Sequence, residues 1–211
     1  MFFNLKIGIS GFCLLMLLTA CGQKDMTTYA QYLKQPDSGL MQKQSRSGLG
    51  FAASYQPLDF VVGKSLSNQE RTAEGLTKAR PDYVGLQYFD FDIYTEGGYK
   101  GQNALKDAME KQVKPEGMTA TMTYYAFGMQ PDLGLIVGTD TLPCALYHLE
   151  QTGSWGQKMH FLVAFKDDSK VQTPQFKEDM RLYYHDKIFS NDTLFFTFTK
   201  ADLNRIPDLK F

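Results

Sequence analysis

Alternation of apolar and polar side chains runs through most of the chain beyond residue 40. Leu49, Phe51, Ala53 and Tyr55 alternate with Gly50, Ala52 and Ser54, the period of a strand with two unlike faces. Residues 40–44 precede this run, and Arg46-Ser47-Gly48 between the two predicts a hairpin that Pro57 closes. Residues 83–94 read as a long strand. Further strands are predicted over 118–127, 133–137, 142–151, 158–166, 181–185 and 193–199. In the last of these Leu194, Phe196 and Phe198 face one way and Thr193, Thr197 and Thr199 the other. The runs at 142–151 and 158–166 carry apolar residues on both faces, which predicts central strands covered on both sides.

Helical spacing is rarer. Residues 27–34 predict a short helix with Tyr29, Tyr32 and Leu33 on one side. Ser67-Asn68-Gln69-Glu70 has the form of a capping box and predicts a helix to about Ala79, stopped by Pro81. Ala104, Leu105, Ala108, Met109 and Val113 form an apolar stripe at helical spacing that ends before Pro115-Glu116-Gly117. The expected fold is α+β: a mainly antiparallel sheet burying its apolar face against two or three helices. A β-sandwich with peripheral helices is the alternative. No repeat of fixed period interrupts this single domain.

The first twenty residues follow different rules. Lys6 is followed by an almost unbroken apolar run from Ile7 to Leu18, which stops at Cys21 before Gly22-Gln23-Lys24-Asp25. A charged start, a short apolar stretch and a small-residue cleavage site describe a secretory signal, and the run is shorter than the ~20 residues a spanning helix needs. Leu18-Thr19-Ala20-Cys21 resembles the lipobox of bacterial lipoproteins. That resemblance implies removal of residues 1–20 and two or three acyl chains on Cys21. It divides the chain into a signal (1–20), a lipidated tether (21–26) and a globular domain (27–211). Gln23-Lys24-Asp25 resembles part of the surface-export signal of Bacteroidota lipoproteins; a simple polar tether is the other reading.

Composition narrows the partners. Removing residues 1–20 takes away Lys6 alone among the charged residues and leaves 21 basic against 23 acidic side chains. Such a balance, without a basic run, points away from nucleic acid. The sequence holds 16 Phe and 12 Tyr, side chains that suit strands and bury large areas. With Cys13 in the signal and Cys21 as the lipid site, only Cys144 remains, so no intrachain disulfide forms.

Candidate chemistry is sparse. Asp90 and Asp92 lie two apart in Tyr88-Phe89-Asp90-Phe91-Asp92-Ile93, so on a strand their carboxylates share a face about 7 Å apart. Two acids can ligate a hard cation, but no third ligand is visible nearby, and a solvent-facing strand face is preferred. Cys144 and His148 suggest an activated thiol, yet four residues of strand separate them by roughly 13 Å; a buried, inert Cys144 is preferred. His148 and His160 are possible cross-strand neighbours, and His185 stands apart; none has metal-ligand spacing. Trp155, in Gly153-Ser154-Trp155-Gly156, is the candidate binding contact. No motif implies a cofactor, a metal or a catalytic residue.

Residues 138–148 and the ending from Asp186 to Pro207 resemble uncharacterised Bacteroidota lipoproteins of this size. The resemblance implies an envelope protein held by the lipid on Cys21, on the outer membrane. The expected role is non-enzymatic: binding an envelope protein partner or assembling a complex. The alternative is an envelope hydrolase whose site is built from distant residues.

Overall fold

A computed structural model describes residues 25–96, 103–113, 115–150, 156–167 and 175–211; Cys21 and Trp155 lie outside the described residues. In chain order the elements are α1 (Met26–Leu33), β1 (Met41–Arg46), β2 (Leu49–Gln56), α2 (Leu58–Ser65), α3 (Ala73–Ala79) and β3 (Leu86–Thr95). There follow α4 (Ala104–Glu110), α5 (Pro115–Thr123) with a π-helical turn (Tyr124–Gly128), β4 (Leu133–Val137) and β5 (Asp140–Glu150). The chain ends with β6 (Lys158–Lys166), β7 (Met180–His185), β8 (Thr193–Phe198) and α6 (Lys200–Leu203). The α+β class holds.

The architecture corrects the expected layering. All eight strands form one antiparallel sheet in the order β1-β2-β3-β6-β5-β4-β7-β8. It curls until its edge strands meet, where the Gln44 side chain donates to the Phe195 carbonyl (3.3 Å) and Arg46 pairs with Asp192 (3.7 Å). The sheet therefore buries its apolar face mainly against itself, as a nearly closed barrel, rather than against two or three helices or a second sheet. Aromatic volume makes this work. Phe91 touches Phe51, Phe161, Phe196 and Tyr184 with ring centroids 5.4–6.5 Å apart, and all five rings are fully buried. Closing the sheet also protects edges that would otherwise template aggregation.

The hairpin expected around Arg46-Ser47-Gly48 joins β1 to β2. Ser47 (φ 53°) and Gly48 (φ 76°) supply the left-handed backbone that a two-residue hairpin turn demands.

Three sequence expectations fail locally. Residues 118–127 are helical, not a strand. Met118, Ala120 and Met122 alternate with threonines, but Thr121 is buried and the Thr123 hydroxyl bonds back to the Thr119 carbonyl (2.9 Å), the way a helix accommodates a threonine. The Ser67 box forms only an isolated turn, with the Ser67 N–H and hydroxyl both donating to Glu70; the helix starts later, capped by Thr72 accepting from Gly75 N–H. Residues 142–150 are covered on both faces only in part: on the outer face Leu146 alone packs against an apolar cluster, that of Val61, Tyr88 and Ala164. A bulge at Ala145 shifts the strand's phase, so that Cys144, Tyr147 and Leu149 pack against the core while His148 and Glu150 are exposed.

Register sorts the connections onto two ends. Met41, Gln56, Leu86, Lys166, Val137, Met180 and Phe198 mark one end, which carries α1, α2 and α6. The opposite end gathers the β1–β2 turn, the end of β3, the last residue of β5, the first of β6 and the π-helical turn that leads towards β4. Tyr125 from that turn plugs this end, fully buried and 6.3 Å from the Phe161 ring.

Candidate functional site

A cluster of ionisable residues that includes a histidine lies outside the barrel, on β3, β6 and β5. The alternation that sends Phe89, Phe91 and Ile93 inward sends Asp90 and Asp92 outward. Register then sets Asp92 opposite His160 on β6 and Glu150 of β5 opposite the same histidine. The partner of the aspartates is thus a residue nearly seventy positions away, brought beside them by strand order.

His160 sits among three carboxylates. Its Nδ1 is 2.5 Å from Asp92 Oδ1, and its Nε2 lies 3.7 Å from Glu150 and 3.9 Å from Asp90. Lys158 adds a cation 3.2 Å from Asp92. The imidazole is 17% exposed and each aspartate side chain 23%, so these charges are partly desolvated. The hydrogen bond to Asp92 outweighs burial and raises the His160 pKa above its usual value. Burial pushes Asp92 upward, but the bond from His160 and the charge of Lys158 more than offset it, and its pKa is lowered. Asp90 behaves oppositely: burial dominates over the help of Lys64 and His160 and raises its pKa. Two carboxylates two residues apart therefore titrate in opposite directions because only one accepts the imidazole's short hydrogen bond.

Chemically, the Asp92–His160 pair is an oriented imidazole able to give or take a proton. No group of three His, Cys, Asp or Glu side chains among the described residues is arranged to hold a metal ion. Ser54 stands opposite Asp90 on β2 and is nearly buried.

The other expected residues stay apart. His148 pairs across the sheet with Leu162, not with His160, whose neighbour on β5 is Glu150. His185 bonds to Thr193 within its own hairpin (3.2 Å). Cys144 packs against the core side, half-buried, and its thiol donates to the Leu146 carbonyl (3.2 Å). Burial pushes that thiol up to about 12, so at neutral pH it is not a nucleophile.

Polar residues missed in the sequence cluster around the π-helical turn. The Tyr124 hydroxyl donates to Asp132 (2.9 Å), and Lys187 closes on the same carboxylate at 2.5 Å. Tyr147 donates to the Tyr125 carbonyl. Burial drives the phenols of Tyr125 and Tyr184 far above their ordinary value, so they act as neutral structural groups. Phe127 on this turn is 81% exposed.

No protein-family model matches the chain, and no curated protein matches it. Among solved structures, a protein of unknown function from Burkholderia pseudomallei K96243 is similar over 91% of this chain and 97% of its own, with 9% identity and a TM-score of 0.36. A likeness at that score carries no argument about fold or activity.

Proposed function

We propose that this protein is an envelope lipoprotein, held to the outer membrane by acyl chains on Cys21, whose barrel acts as a solid body presenting its surface to an envelope protein partner. The observation that carries the binding half of this reading is the packed interior. Phe51, Phe89, Phe91, Phe161, Phe165, Phe196 and Phe198 are fully buried, and small barrels that hold a ligand do so in that space. The lipobox Leu18-Thr19-Ala20-Cys21 carries the anchoring half. Asp25 has a structural task here, since its carboxylate caps α1 by accepting from the Thr27 and Thr28 N–H groups (2.9 and 3.0 Å); this supports reading Gln23-Lys24-Asp25 as tether and cap. The test is mass spectrometry of the native N-terminus together with cross-linking in intact envelopes. An intact Met1 or an unmodified Cys21 sinks the anchor. Absence of any reproducible cross-linked partner sinks the binding role.

The Asp92–His160 pair favours a second reading, an envelope hydrolase. Complementation of a deletion strain by Asp92→Asn and His160→Gln separates the two. Loss of the biological role at normal protein abundance supports the enzyme; full complementation supports binding.

A further inference from the structure

We propose that the α1 end of the barrel lies against the lipid headgroups of the membrane that holds Cys21, with the Met26–Ala30 face of α1 as the contact. This rests on the acylation of Cys21 proposed above and adds an orientation to it.

The end in question carries an open, mainly apolar groove of about 380 Å³ lined by Met26, Thr27, Ala30, Gln31, Lys34 and Phe60. Two stripes run along α1. Tyr29 and Leu33 are buried against the protein, with the Tyr29 ring stacked on Phe60 at 5.4 Å. Met26 and Ala30, also four apart, remain partly exposed beside the groove. The helix has no charged side chain from Met26 to Leu33, and the first charge is Lys34 at its end. A lysine in that place can lay its methylenes along an apolar surface and keep its ammonium in the headgroup layer. The Met26 sulfur and the Phe211 ring both approach Gly63, which extends the apolar surface onto α2 and the chain's last residue.

Chain length selects the membrane as the occupant. From Cys21 to Asp25 there are four residue steps, which span at most about 14 Å when fully extended. The acyl chains fix Cys21 at the boundary of a headgroup layer about 5–7 Å deep on each side of the bilayer. Asp25, the cap of α1, therefore cannot leave the neighbourhood of that layer. An eight-residue helix is about 12 Å long, short enough to lie along the surface on its uncharged face in the manner of an interfacial helix. The strands then lead away from the bilayer. With eleven residues in β5, at about 3.3 Å per residue along the strand, the opposite end and the exposed Phe127 stand clear of the lipid.

The test uses the full-length acylated protein in a Cys144→Ala background, reconstituted into phosphatidylcholine vesicles after the acyl mass at Cys21 has been verified. A single environment-sensitive fluorophore is placed through Gln31→Cys or, in a second protein, through Phe127→Cys, and quenched by a lipid carrying a nitroxide near its headgroup. The expected result is loss of most emission at position 31 and little loss at 127. Adding Met26→Asp to the position-31 protein should abolish that quenching without releasing the protein from the vesicles. Weak or equal quenching at the two positions in verified acylated protein overturns the orientation and leaves the anchor standing. An unacylated Cys21 overturns both.

Discussion

The two faces of β2, β3 and β6 are built from the same alternating stretches of sequence, yet they follow different physics. Inward, Phe51, Phe89, Phe91, Ile93, Phe161 and Val163 are fully buried and interlock with rings from the far side of the barrel. Outward, beside the buried Ala52 and Ser54, Asp90, Asp92, His160 and Glu150 form a partly exposed polar cluster held by one short hydrogen bond and longer charge contacts. Stability belongs to the first face because each ring removes a large apolar area from water. Adjustable charge belongs to the second, because partly exposed ionisable groups can still exchange protons. A displacement of one residue along the strand separates the two.

The sharpest way to break this contrast is Phe91→Ala. The ring sits at the middle of four others, so its removal should cost about 3–5 kcal/mol, read from the denaturant midpoint at constant slope. A cost below 1 kcal/mol would mean the interior collapses around the gap and is not closely packed. Next comes Asp186, a polar side chain that belongs with the interior. It is wholly buried and accepts from the N–H groups of Ile188, Phe189 and Ser190 and from the Ser190 hydroxyl. Asp186→Ala should cost about 2–3 kcal/mol and loosen the β7–β8 turn, seen as faster amide exchange at residues 188–190.

On the outer face the expected effect is smaller and depends on pH. His160 has its pKa raised by Asp92, so its contribution is fully present below the unfolded value of 6.5 and is lost as pH rises through the higher folded value. Asp92 has its pKa lowered, so its contribution is present above 3.8 and is lost as pH falls through the lower folded value. Asp90, with a raised pKa, takes stability away as pH rises from 3.8 through its folded value. Asp92→Asn should therefore cost about 1–2 kcal/mol near pH 6, and the deficit should shrink towards alkaline pH in urea titrations. A deficit independent of pH would show that the pair acts through packing alone. The smallest effect is expected from Phe127→Ser, within about 0.5 kcal/mol of the parent in thermal unfolding, since the ring is already in water. If that change removes partner cross-linking while stability holds, Phe127 is a binding anchor.

Much of the barrel was legible because strands announce themselves by period. The spans 133–137 and 158–166 coincide with β4 and β6, and the β1–β2 hairpin sits where Ser47-Gly48 places it. Closure was not legible: nothing local in residues 41–46 or 193–198 says that these edges meet. Residues 118–127 misled because threonines at every second position imitate a strand, while a threonine hydroxyl can equally bond back along a helix, as Thr123 does to Thr119. Helix α2 passed unnoticed between Pro57 and Ser67, although Phe60, Val61 and Val62 are buried there, since an unbroken apolar trio shows no period. Of the polar cluster, the sequence yielded Asp90 and Asp92 sharing a face. Their histidine was invisible as a partner, because β3 and β6 are neighbours in the sheet but separated in the chain by two helices and two strands.

The bulge at Ala145 has a consequence for how this sequence tolerates change. Before it, β5 reads in one frame; after it, the frame has moved by one. Deleting Ala145 would join Cys144 to Leu146 in one continuous ladder, with Leu146 still opposite Ala164 and Tyr147 still opposite Val163, so residues 146–150 would keep their faces and only the local bend of the bulge would go. Ala145 is the slack in β5: a residue that can be lost without turning its neighbours over, whereas one residue more between Tyr147 and Leu149 would send Leu149 to the solvent side.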